Sequence, residues 1–157
     1  MAKNLLVALD KSHNSLRAVH YVAATVNPAS FITLISIVPD PAAACELHGP
    51  SLASLFTEKI KTFCIIEDAK KSAMEGFLKE AKKTLVKAGF PSKHVRIRIR
   101  KQKSGVARDI LKEATQGKYD TVIVGRRGIT GVKQFAFGSV SNKVIHRAGE
   151  LSVIVVD

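Results

Sequence analysis

The amino-acid sequence predicts one α/β domain built on a five-stranded parallel sheet with helices on both faces. Three observations carry that expectation. Short apolar runs alternate with amphipathic segments along the chain, and strands alternating with helices pair in parallel because right-handed crossovers lay the helices on the sheet faces. The 157 residues fit one domain of ordinary size, able to bury a core unaided. Hydrophobic residues make up 46% of the chain, a globular proportion rather than a disordered one.

The first strand is Leu5 to Leu9, an apolar run that ends at Asp10. Leu16, Val19, Val22, Ala23 and Val26 then recur at helical spacing. Ser12 ahead of them suits the N-cap, because its hydroxyl accepts a bond from a first-turn N–H. Asn27-Pro28 breaks that helix, Phe31 to Val38 is a second strand, and Pro39-Asp40-Pro41 stops it. From Pro39 to about Ile66 clean periodicity is missing, so residues 39–66 read as an insertion, a loop with room for a short helix.

From Glu67 onward, Ala69, Ala73, Phe77, Ala81, Leu85 and Ala88 share one side of a long helix that stops at Gly89. His94 to Arg100 alternates apolar and basic residues at period two. An inner parallel strand is apolar on both faces, so this one belongs at a sheet edge. Residues 105–118 read as a short amphipathic helix, 119–125 as a buried strand, 139–149 as a further helix and 151–157 as the last strand.

A net charge of +12 favours anionic partners: nucleotides, nucleic acid or anionic lipid. No apolar run approaches a membrane span, and the first one is too short for a secretory signal. Cys45 and Cys64 alone imply no disulfide framework, which makes a reducing, cytoplasmic setting the expectation.

In an open α/β sheet a ligand sits beyond the carboxyl ends of the strands, where the winding direction reverses. Asp10 ends the first strand and Gly125 the fourth, so if these strands are neighbours their loops face one crevice. The segment from Val124 to Ser141 sets Gly125, Gly128 and Gly138 around Arg126 and Arg127. Gly138-Ser139 opens a helix whose unpaired N–H groups and roughly half a positive charge make a seat for phosphate. Ser139 and Ser141 add hydroxyl donors, and the arginines add charge. Neither the P-loop pattern nor the G-x-G-x-x-G fingerprint is present.

The spacing that is present is G-x2-G-x9-G-[ST], at Gly125, Gly128, Gly138 and Ser139. With it the chain resembles the universal stress protein family, in its ATP-binding type, and the likeness covers the whole of residues 1–157. "LLVALDKSHNSLRAVHYV" is similar to the family's opening strand, acidic residue and first helix, and "LISIV", "YDTVIVGRRG" and "HRAGELSVIVV" to later elements. The resemblance implies a Rossmann-like, adenine nucleotide alpha hydrolase-like fold, an ATP site, with Mg²⁺ left open, and a homodimer formed through the last strand. It places Ala8 and Asp10 near adenine and ribose, Ile37 against the base, and Gly125, Gly128, Gly138, Ser139 and Val140 around ribose and phosphates. Leu9, Arg126, Arg127 and Ser141 complete the implied nucleotide-binding set. Ala8 stands where many relatives carry proline, Ser36 where many carry histidine, and Arg126-Arg127 is more basic than usual. The double arginine implies stronger phosphate binding, or a polyphosphate or nucleotide other than ATP.

Other clusters are read more plainly. Arg96, Arg98 and Arg100 suit protection of an edge strand better than a nucleic-acid stripe, for no aromatic residues interleave for base stacking. Cys45, His48 and Cys64 lack the second close pair of a zinc site and read as loop residues. Phe135 and Phe137 read as anchors that pack the glycine loop down, and His13 as a solvated residue at a helix start. No Asp or Glu lies between Gly125 and Ser141 to orient a water, so the residues do not argue for efficient hydrolysis. The expected role is a nucleotide-gated stress-response sensor or adaptor. A slow ATP hydrolase or phosphotransferase is the first alternative, and a basic nucleic-acid-binding module the second.

Overall fold

Five strands form one parallel sheet in the computed structural model, which describes residues 2–40, 54–127 and 137–157. The strands are β1 (Asn4–Ala8), β2 (Phe31–Val38), β3 (Val95–Lys101), β4 (Thr121–Gly125) and β5 (Ser152–Val156), in the order β3-β2-β1-β4-β5. Four helices connect them among the described residues: α1 (His13–Thr25), α2 (Ser54–Lys87), α3 (Val106–Gln116) and α4 (Ser139–Arg147). The α/β architecture expected from the sequence is the one the chain adopts. β1 pairs with β2 on one side and β4 on the other, so the winding reverses between β1 and β4, with Ala8 opposite Val124.

Alternate residues of each strand serve opposite faces. Leu5, Val7, Ile32 and Leu34 bury against Val19 and Val22 of α1 and Leu78 and Leu85 of α2. Leu6, Ile35, Val122 and Val124 bury against Ala107 and Ile110 of α3 and Val144 of α4. The capping chemistry follows the sequence. Ser12 Oγ accepts from Ser15 N at 3.2 Å, fixing the start of α1. At the end of α2, Phe90 N donates to Leu85 O at 3.2 Å and Gly89 N to Val86 O at 3.0 Å. Gly89 takes the positive φ of +103° that this double-bonded termination requires.

α2 departs from expectation. It begins at Ser54 rather than near Glu67, so residues 54–66 of the supposed insertion are helical and continuous with the long helix. Its packed stripe is Met74, Leu78, Ala81 and Leu85 in the second half; of the other residues expected on that side Phe77 is half-buried and Ala69, Ala73 and Ala88 are exposed, as are Phe63, Ile65 and Ile66, Ile65 by 68%. Apolar residues that do not share a buried face leave no helical period to read. The remainder of the insertion, with Cys45 and His48, lies outside the described residues. Cys64 sits on α2 and is disulfide-bonded. That corrects the expectation that the cysteines carry no disulfide and removes the redox argument for a cytoplasmic setting; a chain with so few cysteines shows no diagnostic spacing.

β3 is an edge strand, as its alternation indicated. Ile97 and Ile99 pack toward the α2 core. On the opposite face Arg98 pairs closely with Glu113 Oε1 of α3, and Arg100 Nε lies 3.3 Å from Glu113 Oε2. The two arginines therefore cap a carboxylate only 10% exposed rather than standing free at the edge. β5 forms the other edge, with Val153, Ile154 and Val155 partly exposed. Among the described residues no helix is long and apolar enough to cross a membrane.

Candidate functional site

Where β1 ends, Leu9 N donates to Ile35 O at 2.8 Å, which holds the strand's last turn beside β2. Asp10 follows and folds back on the start of α1. Its Oδ1 accepts from Ser12 N at 2.9 Å and from the Ser15 hydroxyl at 2.7 Å, while Asp10 N donates to Ser15 Oγ at 2.8 Å. None of these bonds uses Oδ2. A carboxylate at a helix N-terminus is favoured by the helix dipole, so Asp10 has a structural duty as well as a place at the cleft.

Where β4 ends, Gly125 is required by proximity rather than by backbone angle. A Cβ there would lie 3.0 Å from Asn14 Cβ and 3.1 Å from the Asn14 carbonyl carbon. Asn14 also donates from Nδ2 to Arg127 O at 3.2 Å, tying α1 to the loop. The two arginines diverge. Arg126 Nη1 pairs with Asp157 Oδ2 at 2.6 Å, and Arg126 N and O bond to Val156 O and Gly138 N at 2.6 and 2.8 Å. Arg127 lines the cleft, and its Nε is buried without a hydrogen-bond partner among the described residues.

α4 begins at Ser139 with Gly138 as N-cap and no side-chain cap. Its first internal bond runs from Asn142 N to Gly138 O at 2.9 Å, so the N–H groups of residues 139–141 have no partner within the helix. The Ser141 hydroxyl donates to Gly125 O at 2.6 Å. Ser141 is thereby a tether between strand and helix, and its proton is not offered to a ligand as the sequence suggested.

These elements enclose a cavity of about 220 Å³ on the α3/α4 face of the sheet. Of the twelve residues named from sequence, nine line it: Ala8, Leu9, Asp10, Ile37, Gly125, Arg127, Ser139, Val140 and Ser141. Gly138 adjoins it as the helix cap, Arg126 turns away to Asp157, and Gly128 lies outside the described residues. Phe135 is also outside them, and Phe137 is 39% exposed.

A sequence model of the universal stress protein family matches residues 1–157. The chain belongs to the universal stress protein family. Solved structures agree in fold: hypothetical protein MJ0577 aligns with a TM-score of 0.74 at 23% identity over 99% of this chain and 96% of that one. Universal stress protein UspA from Lactobacillus plantarum gives 0.73 at 21% identity, over 99% and 97%. The universal stress protein from Archaeoglobus fulgidus in complex with dAMP gives 0.63 at 19%, over 99% and 98%. No curated protein sequence matches the chain.

Within this family fold, the wall residues that sequence reasoning missed are Ser15, Ile35, Val106, Ile110 and Val124. Four are apolar and belong to the strand and helix patterns that already read as core, so nothing in their spacing sets them apart. Ser15 had a signal, standing three residues beyond the N-cap Ser12 and five beyond Asp10. Among the described residues no group of three or more His, Cys, Asp or Glu side chains could hold a metal ion.

Proposed function

We propose that this universal stress protein binds an adenine nucleotide in the cleft between β1 and β4 and acts as a nucleotide-gated sensor or adaptor in the stress response. One observation carries the reading: Arg127 Nε is buried and unpartnered among the described residues, in a cavity that the N-terminus of α4, without a side-chain cap, also lines. A buried donor left unsatisfied costs free energy that an anion recovers, and helix N–H groups together with a guanidinium suit phosphate. The rest of the wall sorts by chemistry. Ile35, Ile37, Val106, Ile110 and Val124 form an apolar slot for the base. Asp10, with Oδ2 outside its own bonds, stands where a ribose hydroxyl donates. The cavity is smaller than the roughly 300–1,000 Å³ of pockets that engulf a drug-sized ligand, so it takes base and sugar and leaves phosphates at the mouth.

ATP is the proposed ligand from family resemblance, and a shift in the conformational population on binding is the proposed output. Mg²⁺ has only Asp10 to meet it among the cleft residues described and is not built into the reading. A homodimer through β5 would cover an edge whose Val153, Ile154 and Val155 are partly exposed. A cytoplasmic setting fits a nucleotide ligand, while the disulfide at Cys64 gives it no support. Titration calorimetry of AMP, ATP and GTP against the wild type and Arg127→Gln tests the proposal: adenine nucleotides bind, and the variant weakens them by about tenfold.

Slow hydrolysis is the second reading, because Asp10 is the carboxylate lining this cleft. Phosphate release by the wild type that is abolished in Asp10→Ala would favour it. The nucleic-acid reading loses its main residues, since Arg98 and Arg100 are engaged by Glu113.

A further inference from the structure

Beside the cleft runs a second cavity of about 460 Å³, between the first turn of α3 and the length of α4 from Ser139 to Arg147. Val106, Ser139 and Val140 belong to the walls of both, so the two are continuous. Its charged lining is of one sign: Arg108 from α3, with Lys143 and Arg147 from α4. None of these three forms an ion pair or hydrogen bond among the described residues, and no acidic side chain lines the cavity there. The nearest candidate, Asp109, is turned back to accept from Lys103 N at 2.7 Å and Ser104 N at 3.1 Å. Three exposed cations lining one groove make a field of one sign that attracts a polyanion.

We propose that this groove is a second anion subsite, which takes the outer phosphates of a nucleotide whose base and ribose occupy the cleft. The proposal rests on the nucleotide reading and adds a selectivity to it: preference for a long phosphate chain. Ser139 and Arg147 are eight residues apart on one helix, about 12 Å along its axis, so a single phosphate at the helix N-terminus does not meet the far cation. A chain of four phosphates extends from Ser139 past Lys143, with Arg108 closing over it from α3. At the start of α3 the N-cap is Gly105, which bears no side chain, and the hydroxyl that lines the groove there belongs to Ser104, a neutral donor to an anion.

Titration calorimetry with AMP, ATP, adenosine 5′-tetraphosphate and inorganic tripolyphosphate separates the possibilities. Three proteins are compared: the wild type; a groove variant, Arg108→Gln/Lys143→Gln/Arg147→Gln; and a charge-matched control on the exposed face of α2, Lys59→Gln/Lys61→Gln/Lys79→Gln. The groove variant keeps its AMP affinity within about twofold and loses about tenfold or more for the tetraphosphate, whereas the control changes neither. Equal losses for AMP and the tetraphosphate, or equal losses in groove variant and control, overturn the subsite in favour of general charge attraction. Absence of AMP binding to the wild type defeats the nucleotide reading instead. In that event tripolyphosphate binding that the groove variant alone loses keeps the groove as an anion site, and no such binding removes both.

Discussion

Ser141 Oγ donates to the carbonyl oxygen of Gly125 across 2.6 Å, locking the first turn of α4 to the end of β4. The bond joins the two elements that form the phosphate end of the cleft, and Ser141 is itself buried. Ser141→Ala leaves that carbonyl without its donor and costs about 1–2 kcal/mol. Urea denaturation should show this loss, and the variant should also bind ATP more weakly because the α4 N–H groups lose their fixed placement.

Gly125 is a contact glycine. Gly125→Ala drives a methyl into the backbone of Asn14, which cannot move away without shifting α1. The expected cost is about 1–3 kcal/mol, read as a lower urea midpoint with an unchanged slope. Gly138 has φ −66° and ψ 162°, a conformation open to other residues, so its backbone angles ask for no glycine.

Arg126 and Arg127 should behave oppositely although they are adjacent. Arg127→Gln weakens nucleotide binding by about tenfold with little change in stability, because it removes a donor whose Nε has no partner among the described residues. Arg126→Ala leaves nucleotide affinity within about twofold. Its pair with Asp157, 33% and 60% exposed, is worth no more than about 1 kcal/mol. Parallel calorimetry and urea curves on the two variants decide this.

Glu113 holds two arginines of the edge strand against α3. Glu113→Gln keeps the shape and removes the charge, at an expected cost of about 1–2 kcal/mol, less than for a fully buried pair because both arginines reach solvent. A double-mutant cycle with Arg98→Ala should return a coupling of at least about 0.5 kcal/mol.

The sheet was legible because β1, β2, β4 and β5 are bounded apolar runs, while α2 was legible as a helix from Glu67 on although only Ala81 and Leu85 of its expected stripe are buried. The alternation of His94 to Arg100 even placed an edge. Asp10, Gly125 and Ser139 could be assigned to one crevice from topology alone. The pattern failed where burial is not periodic, as in residues 54–66 of α2, and where function is shared with the core, as at Ile35 and Ile110. It also failed at polar residues whose partners are distant in sequence. The sequence offers Ser141 and Arg126 as ligand donors, but only the fold shows one bonded to Gly125 and the other to Asp157. Asn14 was missed for the same reason, its partner lying 113 residues away.

The most direct test of the central claim is a thermal melt of the wild type and Arg127→Gln with and without adenine nucleotide. A ligand at a hundred times its Kd stabilises by ~2.7 kcal/mol, about 5–10 °C for a domain of this size. The account predicts that shift with ATP and AMP for the wild type and a clearly smaller one for Arg127→Gln at the same nucleotide concentration. A wild-type melt unmoved by either nucleotide at millimolar concentration, or an equal shift in both proteins, would contradict it.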